Sequence, residues 1–150
     1  MTTKAAIDEF MSQPVLAVAG VSRDSRKFGN VVYKELRSKG IRVLAINPNA
    51  QTIEGDPCYP SLKALPEKAG GLVVCTQPAV SEQVVREAAE AGICRVWLQQ
   101  GSESRTAIQF CQDHGINVIS GECVLMYQPN TAFFHKFHKF FKEAFGGKPT

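Results

Sequence analysis

The chain predicts an α/β fold built on a single doubly wound parallel sheet of about five strands. Three observations carry this expectation. Short apolar runs recur along the sequence, each is followed by a helical pattern, and each helical pattern closes on a glycine. At 150 residues the chain has the length of one domain, enough for a three-layer core and short for a separate substrate domain.

The first run, Val15-Leu16-Ala17-Val18-Ala19, is apolar without alternation, as suits a central strand covered by helices on both faces. Gly20 to Asn30 follows as a loop, then a helix through Val31, Val32 and Leu36 that stops at Gly40, the left-handed residue a helix end favours. The second strand, Ile41 to Ile46, ends at Asn47-Pro48, where the proline keeps its predecessor extended. Residues 49–66 are rich in proline, glycine and polar side chains and read as a loop with one short helix over Ser61 to Leu65. Strand three is Leu72 to Cys75. Pro78 suits the first turn of the next helix, which runs through Val80, Val84, Val85, Ala88 and Ala91 to Gly92. Val96 to Leu98 is strand four. Gly101-Ser102-Glu103 reads as a helix cap with an acid in the first turn, the helix reaches Gly115, and Ile116 to Ile119 is strand five. Residues 1–13 add an N-terminal helix, residues 14–127 form a Rossmann-type domain, and residues 128–150 give it a C-terminal amphipathic helix.

Composition narrows the function classes. Hydrophobic residues make up 44% and charged residues 21%, ordinary values for a globular domain, and no apolar stretch approaches the ~20 residues needed to span a bilayer. Met1 to Gln13 lacks the apolar run of a signal peptide, so a cytoplasmic location with free thiols is expected. The five cysteines, at 58, 75, 94, 111 and 123, have no Cys-x-x-Cys spacing, and no metal is expected. Cys75 and Cys94, in or beside strands, are expected in the core. The net charge of +3 is mild and its bases are mixed with acids, which excludes an obvious nucleic-acid footprint.

In a doubly wound sheet, ligands bind beyond the carboxyl ends of the strands where the winding reverses. That rule gathers Gly20 to Asn30, Asn47-Pro48, Thr76 to Pro78 and Gln99 to Gly101 into one candidate site. The first loop, Gly20-Val21-Ser22-Arg23-Asp24-Ser25-Arg26-Lys27-Phe28-Gly29-Asn30, enters a helix whose N–H groups and dipole favour an anion. Ser22 offers a hydroxyl, Lys27 an ammonium, Gly29-Asn30 close backbone approach, and Arg23 and Arg26 further positive charge. The dinucleotide spacing Gly-x-Gly-x-x-Gly is absent and the second strand ends in Asn47 instead of an acid, which disfavours NAD; no Gly-Lys-Ser/Thr follows that would make a P-loop. Asn47-Pro48 could hold a base or sugar, and Thr76 and Pro78 could meet phosphate at a helix start.

The segments Val18 to Asn30, Val43 to Asn49, Gly55, Tyr59-Pro60-Ser61-Leu62, Leu65-Pro66 and Trp97-Leu98-Gln99-Gln100-Gly101, in this order and spacing, resemble the CoA-binding domain family. That family is similar to the nucleotide-binding part of the succinyl-CoA synthetase α-subunit. The resemblance implies coenzyme A or an acyl-CoA as the small-molecule nucleotide ligand. Gly20, Val21, Ser22, Arg23, Lys27, Phe28, Gly29 and Asn30 would then form the phosphate loop. Asn47 and Pro48 would meet the adenosine, Thr76 and Pro78 the diphosphate or pantetheine, and Gln100 and Gly101 the thiol end near Cys123. Two positions depart from the family: Gly70-Gly71 stand where many relatives have an acid, and Cys123-Val124 where they have Cys-Pro.

No Ser/His/Asp set, paired carboxylates or Gly-x-Ser-x-Gly elbow is recognisable, so a binding protein is favoured over an enzyme. The alternative is an NAD(P)-binding redox protein, or a CoA-linked transferase acting through Cys123 or a partner subunit. His114, beside Gly115, reads as a helix cap. In the tail, Phe133, Phe134, Phe137, Phe140, Phe141 and Phe145 share one helical stripe opposite His135, Lys136, Lys139, Lys142 and Glu143. Packing on the domain or in a homodimer is the expectation for that stripe, ahead of an acidic membrane surface.

Overall fold

The computed structural model describes residues 3–127. The phenylalanine-rich tail, with its dimer and membrane readings, lies outside the described residues. Helix α1 (Lys4–Met11) leads into strand β1 (Val15–Ala19), helix α2 (Phe28–Ser38) and strand β2 (Arg42–Ile46). Strands β3 (Thr52–Ile53) and β4 (Asp56–Tyr59) follow, then a 3-10 turn at Leu62–Ala64. The second half runs β5 (Gly71–Val74), α3 (Pro78–Glu90), β6 (Arg95–Leu98), α4 (Arg105–Asp113), β7 (Asn117–Ile119) and a 3-10 turn at Val124–Tyr127.

The strands form one sheet in the order β3-β4-β2-β1-β5-β6-β7. All its ladders are parallel except β3 with β4. The five expected strands are all present, within a residue or two of the expected ends. The doubly wound class therefore stands, and the difference lies at one edge. Residues 49–66, read as loop from their polarity, contain the β3–β4 hairpin, which extends the sheet past β2.

Alternate side chains of a strand face opposite sides of a sheet, and β1 divides accordingly. Leu16 and Val18 join one core with Phe10, Val32, Tyr33, Leu36, Trp97 and Leu125, under α1 and α2. Ala17 and Ala19 join the other with Leu72, Val74, Val85, Ala88 and Leu98, under α3 and α4. Every residue from Leu16 to Ala19 is buried, which is why the run shows no polar alternation.

Gly70-Gly71 has a packing reason. A Cβ on Gly71 would lie 2.7 Å from Phe10 Cε2, and one on Gly70 would collide with Gln13. Phe10, 1% exposed, sits edge-on to Trp97 with ring centres 5.3 Å apart. The two glycines thus let the N-terminal helix close over the start of β5. Sequence reasoning placed the fourth major helix two residues early: Ser104, not Ser102, is its cap, with Oγ accepting from Ala107 N at 3.0 Å. Ser102 is instead buried in the preceding turn, where its N–H donates to Gln99 O at 2.8 Å. A second correction concerns Cys94, which is exposed in the turn before β6, while Cys75 is half-buried.

Candidate functional site

The winding reverses between β1 and β5, neighbours whose chains leave toward opposite edges of the sheet. Their carboxyl ends meet at Gly20 and Cys75. Cys75 N donates to Ala19 O at 2.8 Å, and Gly20 turns at φ 103. A Cβ on Gly20 would collide with the Cys75 carbonyl, and one on Gly29, in the first turn of α2, would collide with the Gly20 carbonyl. Three backbones are therefore stacked at one point, which brings the start of α2 hard against the end of β1. Gly29 is buried, and the backbone that approaches it closely here is that of Gly20.

The loop from Gly20 to Lys27 is held from inside. Asn30 is 1% exposed; its Oδ1 accepts from Ser22 N and its Nδ2 donates to Ser22 O, both at 2.7 Å. Asn47 Nδ2 donates to Val21 O at 2.9 Å, and Asn47 Oδ1 accepts from Asn49 N at 2.7 Å. Both amides thus tie the loop together, one from α2 and one from the end of β2. Val21 is buried beneath them and Phe28 packs half-buried against the same core. Ser22 Oγ accepts from Asp24 N at 3.1 Å.

The loop's charges are unequally placed. Arg26 grips Asp24 with Nε and Nη2 at 3.0 and 3.1 Å, and this contact holds the exposed Asp24 carboxyl down at about 2. Arg26, though exposed, is thereby matched by a carboxylate. Arg23 and Lys27, exposed on the same turn, make no ion pair of that kind among the described residues, Lys27 adding only its charge to the lowering of Asp24. Lys27 is the N-cap residue of α2, and no side chain caps that helix.

On the α3 side of the switch point lies a cleft of about 360 Å³, lined by Gly20, Ile46, Pro48, Leu62, Thr76, Val80 and Val84, with Lys63, Glu87 and Glu90 among its charged residues. Of the expected site residues, Gly20, Pro48 and Thr76 therefore share one cavity. Ser22, Arg23 and Lys27 lie outside its lining, on the adjoining turn. Thr76 Oγ1 is 2.7 Å from the Oγ of fully buried Ser81, which also donates to Gln77 O at 3.1 Å. Either hydroxyl can donate across the Thr76–Ser81 contact, and in both cases the Thr76 hydroxyl braces the start of α3. Pro78 is the first residue of that helix, whose N-cap, Gln77, likewise makes no side-chain cap bond.

Gln100 and Gly101 stand apart, at the end of β6. Gln100 Nε2 donates to Gly121 O at 3.3 Å, and Gly101 N donates to Glu103 Oε1 at 2.9 Å. Beneath them Gln99, 1% exposed, accepts from Val124 N at 3.0 Å through Oε1 and donates to Cys123 Sγ at 2.8 Å through Nε2. Burial pushes the Cys123 thiol up to about 11, and the same cause raises Cys75. His114 Nδ1 lies 2.8 Å from Phe110 O at the end of α4, the capping contact its position predicts. Among the described residues, no cluster of three or more His, Cys, Asp or Glu could hold a metal ion, and no helix is long and apolar enough to cross a membrane.

The sequence does not reveal that Asn30 and Asn47 act on the loop's backbone, nor that Gln99 locks the Cys123 turn. A polar side chain shows its type in sequence but not its partner. The hairpin left little signal: Gly55 alone suits a tight turn, and Pro57 argues against a strand on its far side.

A switch-point cleft beside a glycine turn, in a doubly wound parallel sheet, defines a Rossmann-like α/β domain. The chain belongs to the CoA binding domain family, which matches residues 15–129. It is 26% identical over 128 residues to acetate–CoA ligase (ADP-forming) I of Archaeoglobus fulgidus, spanning 79% of this chain and 19% of the relative. It is 24% identical to the alpha subunit of acetate–CoA ligase (ADP-forming) II of Pyrococcus furiosus, spanning 79% of this chain and 28% of that subunit. Among solved structures, a conserved hypothetical protein of Pyrococcus furiosus superposes with a TM-score of 0.72 at 38% identity, covering 75% of this chain and 97% of that one. A dinucleotide-forming acetyl-coenzyme A synthetase of Candidatus Korarchaeum cryptofilum, in complex with phosphate and ADP, superposes with a TM-score of 0.63 at 25% identity, covering 70% of this chain and 25% of the synthetase.

Proposed function

We propose that this chain binds coenzyme A, free or acylated, at the switch point, without catalysing a reaction by itself. The diphosphate lies over the turn from Gly20 to Lys27, where the uncapped start of α2 and the charges of Arg23 and Lys27 oppose it. The adenosine enters the cleft, whose apolar wall of Ile46, Pro48, Leu62, Val80 and Val84 suits a flat ring. One observation carries the reading: within a CoA binding domain, the cleft and the uncapped helix start adjoin the same residue, Gly20.

The ligase activity named for the relatives belongs to chains of which this one spans 19% and 28%, so the proposal takes only coenzyme A binding from them. Against a transferase working through Cys123 stands the thiol's environment. A reactive cysteine needs a lowered pKa and access, whereas Cys123 is 4% exposed and pushed up to about 11. Alkylation by iodoacetamide at pH 8 is expected to modify exposed Cys94 well before Cys111 or Cys123, as peptide mass spectrometry would report. Early labelling of Cys123 would reopen the transferase reading.

Calorimetric titration with coenzyme A, acetyl-CoA, NAD, NADP and ATP tests the proposal. Saturable heat with the two CoA compounds, and weaker or no heat with the others, is the expected result. Silence toward coenzyme A, or equal weak heats for all five, would remove it.

A further inference from the structure

The β3–β4 hairpin contributes nothing to the proposed ligand contacts, yet its tip reaches the phosphate turn by two routes. Glu54 and Gly55 form its two-residue connection with φ 53 and 82, the pattern of a type I′ turn. Such turns favour Asn, Asp or Gly at the first position, and Glu54 is the one non-glycine residue with positive φ among those described. Local preference therefore does not account for a glutamate here, and its carboxylate does.

The Glu54 side chain is 14% exposed, and its Oε2 accepts from Asn30 Nδ2 at 2.9 Å and lies 3.9 Å from Lys34 Nζ. A carboxylate accepts only, so it fixes the Asn30 amide with nitrogen outward and leaves Oδ1 to receive Ser22 N. An amide turned the other way would set its oxygen against two acceptors, Glu54 and Ser22 O. Lys34, drawn by the same carboxylate, donates to Ser25 O at 3.3 Å. One group thus governs both ends of the Ser22–Ser25 stretch. The hairpin itself is secured separately: Arg37 donates to Glu54 O at 3.1 Å and to Asp56 Oδ2 at 2.6 Å, and Tyr33 donates to Asp56 Oδ2 at 2.7 Å.

We propose that Glu54 is a positioning residue, whose carboxylate sets the conformation of the phosphate turn and through it the affinity for coenzyme A. This rests on the ligand reading above, so the test carries one readout that needs no ligand. Glu54→Gly accepts the left-handed backbone without strain and deletes the carboxylate. Glu54→Gln keeps the shape and one acceptor but removes the charge that draws Lys34. Hydrogen exchange at the amides of Ser22 to Lys27, calorimetric affinity for coenzyme A, and the thermal midpoint are measured for all three proteins.

Glu54→Gly is expected to exchange faster at those amides and to bind coenzyme A about tenfold more weakly, with the midpoint close to wild type. Glu54→Gln should fall between. Wild-type exchange at the turn in Glu54→Gly, or faster exchange with unchanged affinity, overturns the proposal. A general fall in stability with affinity lost in proportion also overturns it, and if Glu54→Gly does not fold, Glu54→Gln decides by the same criteria. Should the wild type not bind coenzyme A, the ligand reading fails and exchange at the turn alone decides whether Glu54 holds it.

Discussion

The helices begin in two different ways, and the difference follows their place in the sheet. Helices α1 and α4 start under hydroxyl caps, Thr3 accepting from Ala6 N at 3.1 Å and Ser104 from Ala107 N at 3.0 Å. Helices α2 and α3, which leave the carboxyl ends of β1 and β5, start on Lys27 and Gln77 with no side-chain cap. The first N–H groups of a helix need partners, and a capping residue in place of an uncapped one adds about 1 kcal/mol. The helix starts away from the switch point have that stabilisation. The two beside it do not, the arrangement expected where the donors serve a bound anion.

Substitutions at the two kinds of helix start should separate ligand binding from stability. The largest effect is expected at Gly20, where alanine adds both left-handed strain and a collision with the Cys75 carbonyl. A stability loss of about 3 kcal/mol in urea unfolding, with coenzyme A binding gone, is the expected result. Lys27→Ala comes next: its affinity for coenzyme A should fall by about 1–3 kcal/mol while the urea midpoint stays near wild type. Lys27→Ser sharpens the point, because it trades a cation for a cap. It should lose the same affinity yet gain about 0.5–1 kcal/mol of stability. The smallest effect is Ser104→Ala at the capped end of the comparison, a loss of about 1 kcal/mol of stability with affinity for coenzyme A unchanged. Equal affinity losses at Lys27 and Ser104 would mean that the two classes of helix start do not differ in function.

Much of this architecture was legible in the sequence because βα units repeat one physical pattern. Val15 to Ala19 could be read as a central strand from its unbroken apolarity, and Gly40 as a helix stop because a left-handed residue is needed there, observed at φ 84. The hairpin was hidden because two-residue β3 is too short to show a period and Pro57 argues against a ladder. For the site, position was legible and engagement was not. Gly20, Pro48 and Thr76 do share a cleft, as the switch-point rule requires. Asn30 and Asn47, equally suited by type to touch a ligand, are engaged in bracing Ser22 and Val21, which depends on contacts across 8 and 26 residues. Arg26, expected to add positive charge to the loop, is paired with Asp24, a partner two residues away that its type alone does not name.

If coenzyme A binds as proposed, its diphosphate rests on the turn between β1 and α2. Backbone amide NMR during titration with coenzyme A tests this placement most directly. The largest shifts are expected at Val21 to Gly29, with a second set at Thr76 to Val80 and at the cleft residues Leu62 and Lys63. Shifts confined to the β6–β7 edge, with the Val21 to Gly29 amides unmoved at saturation, would contradict it.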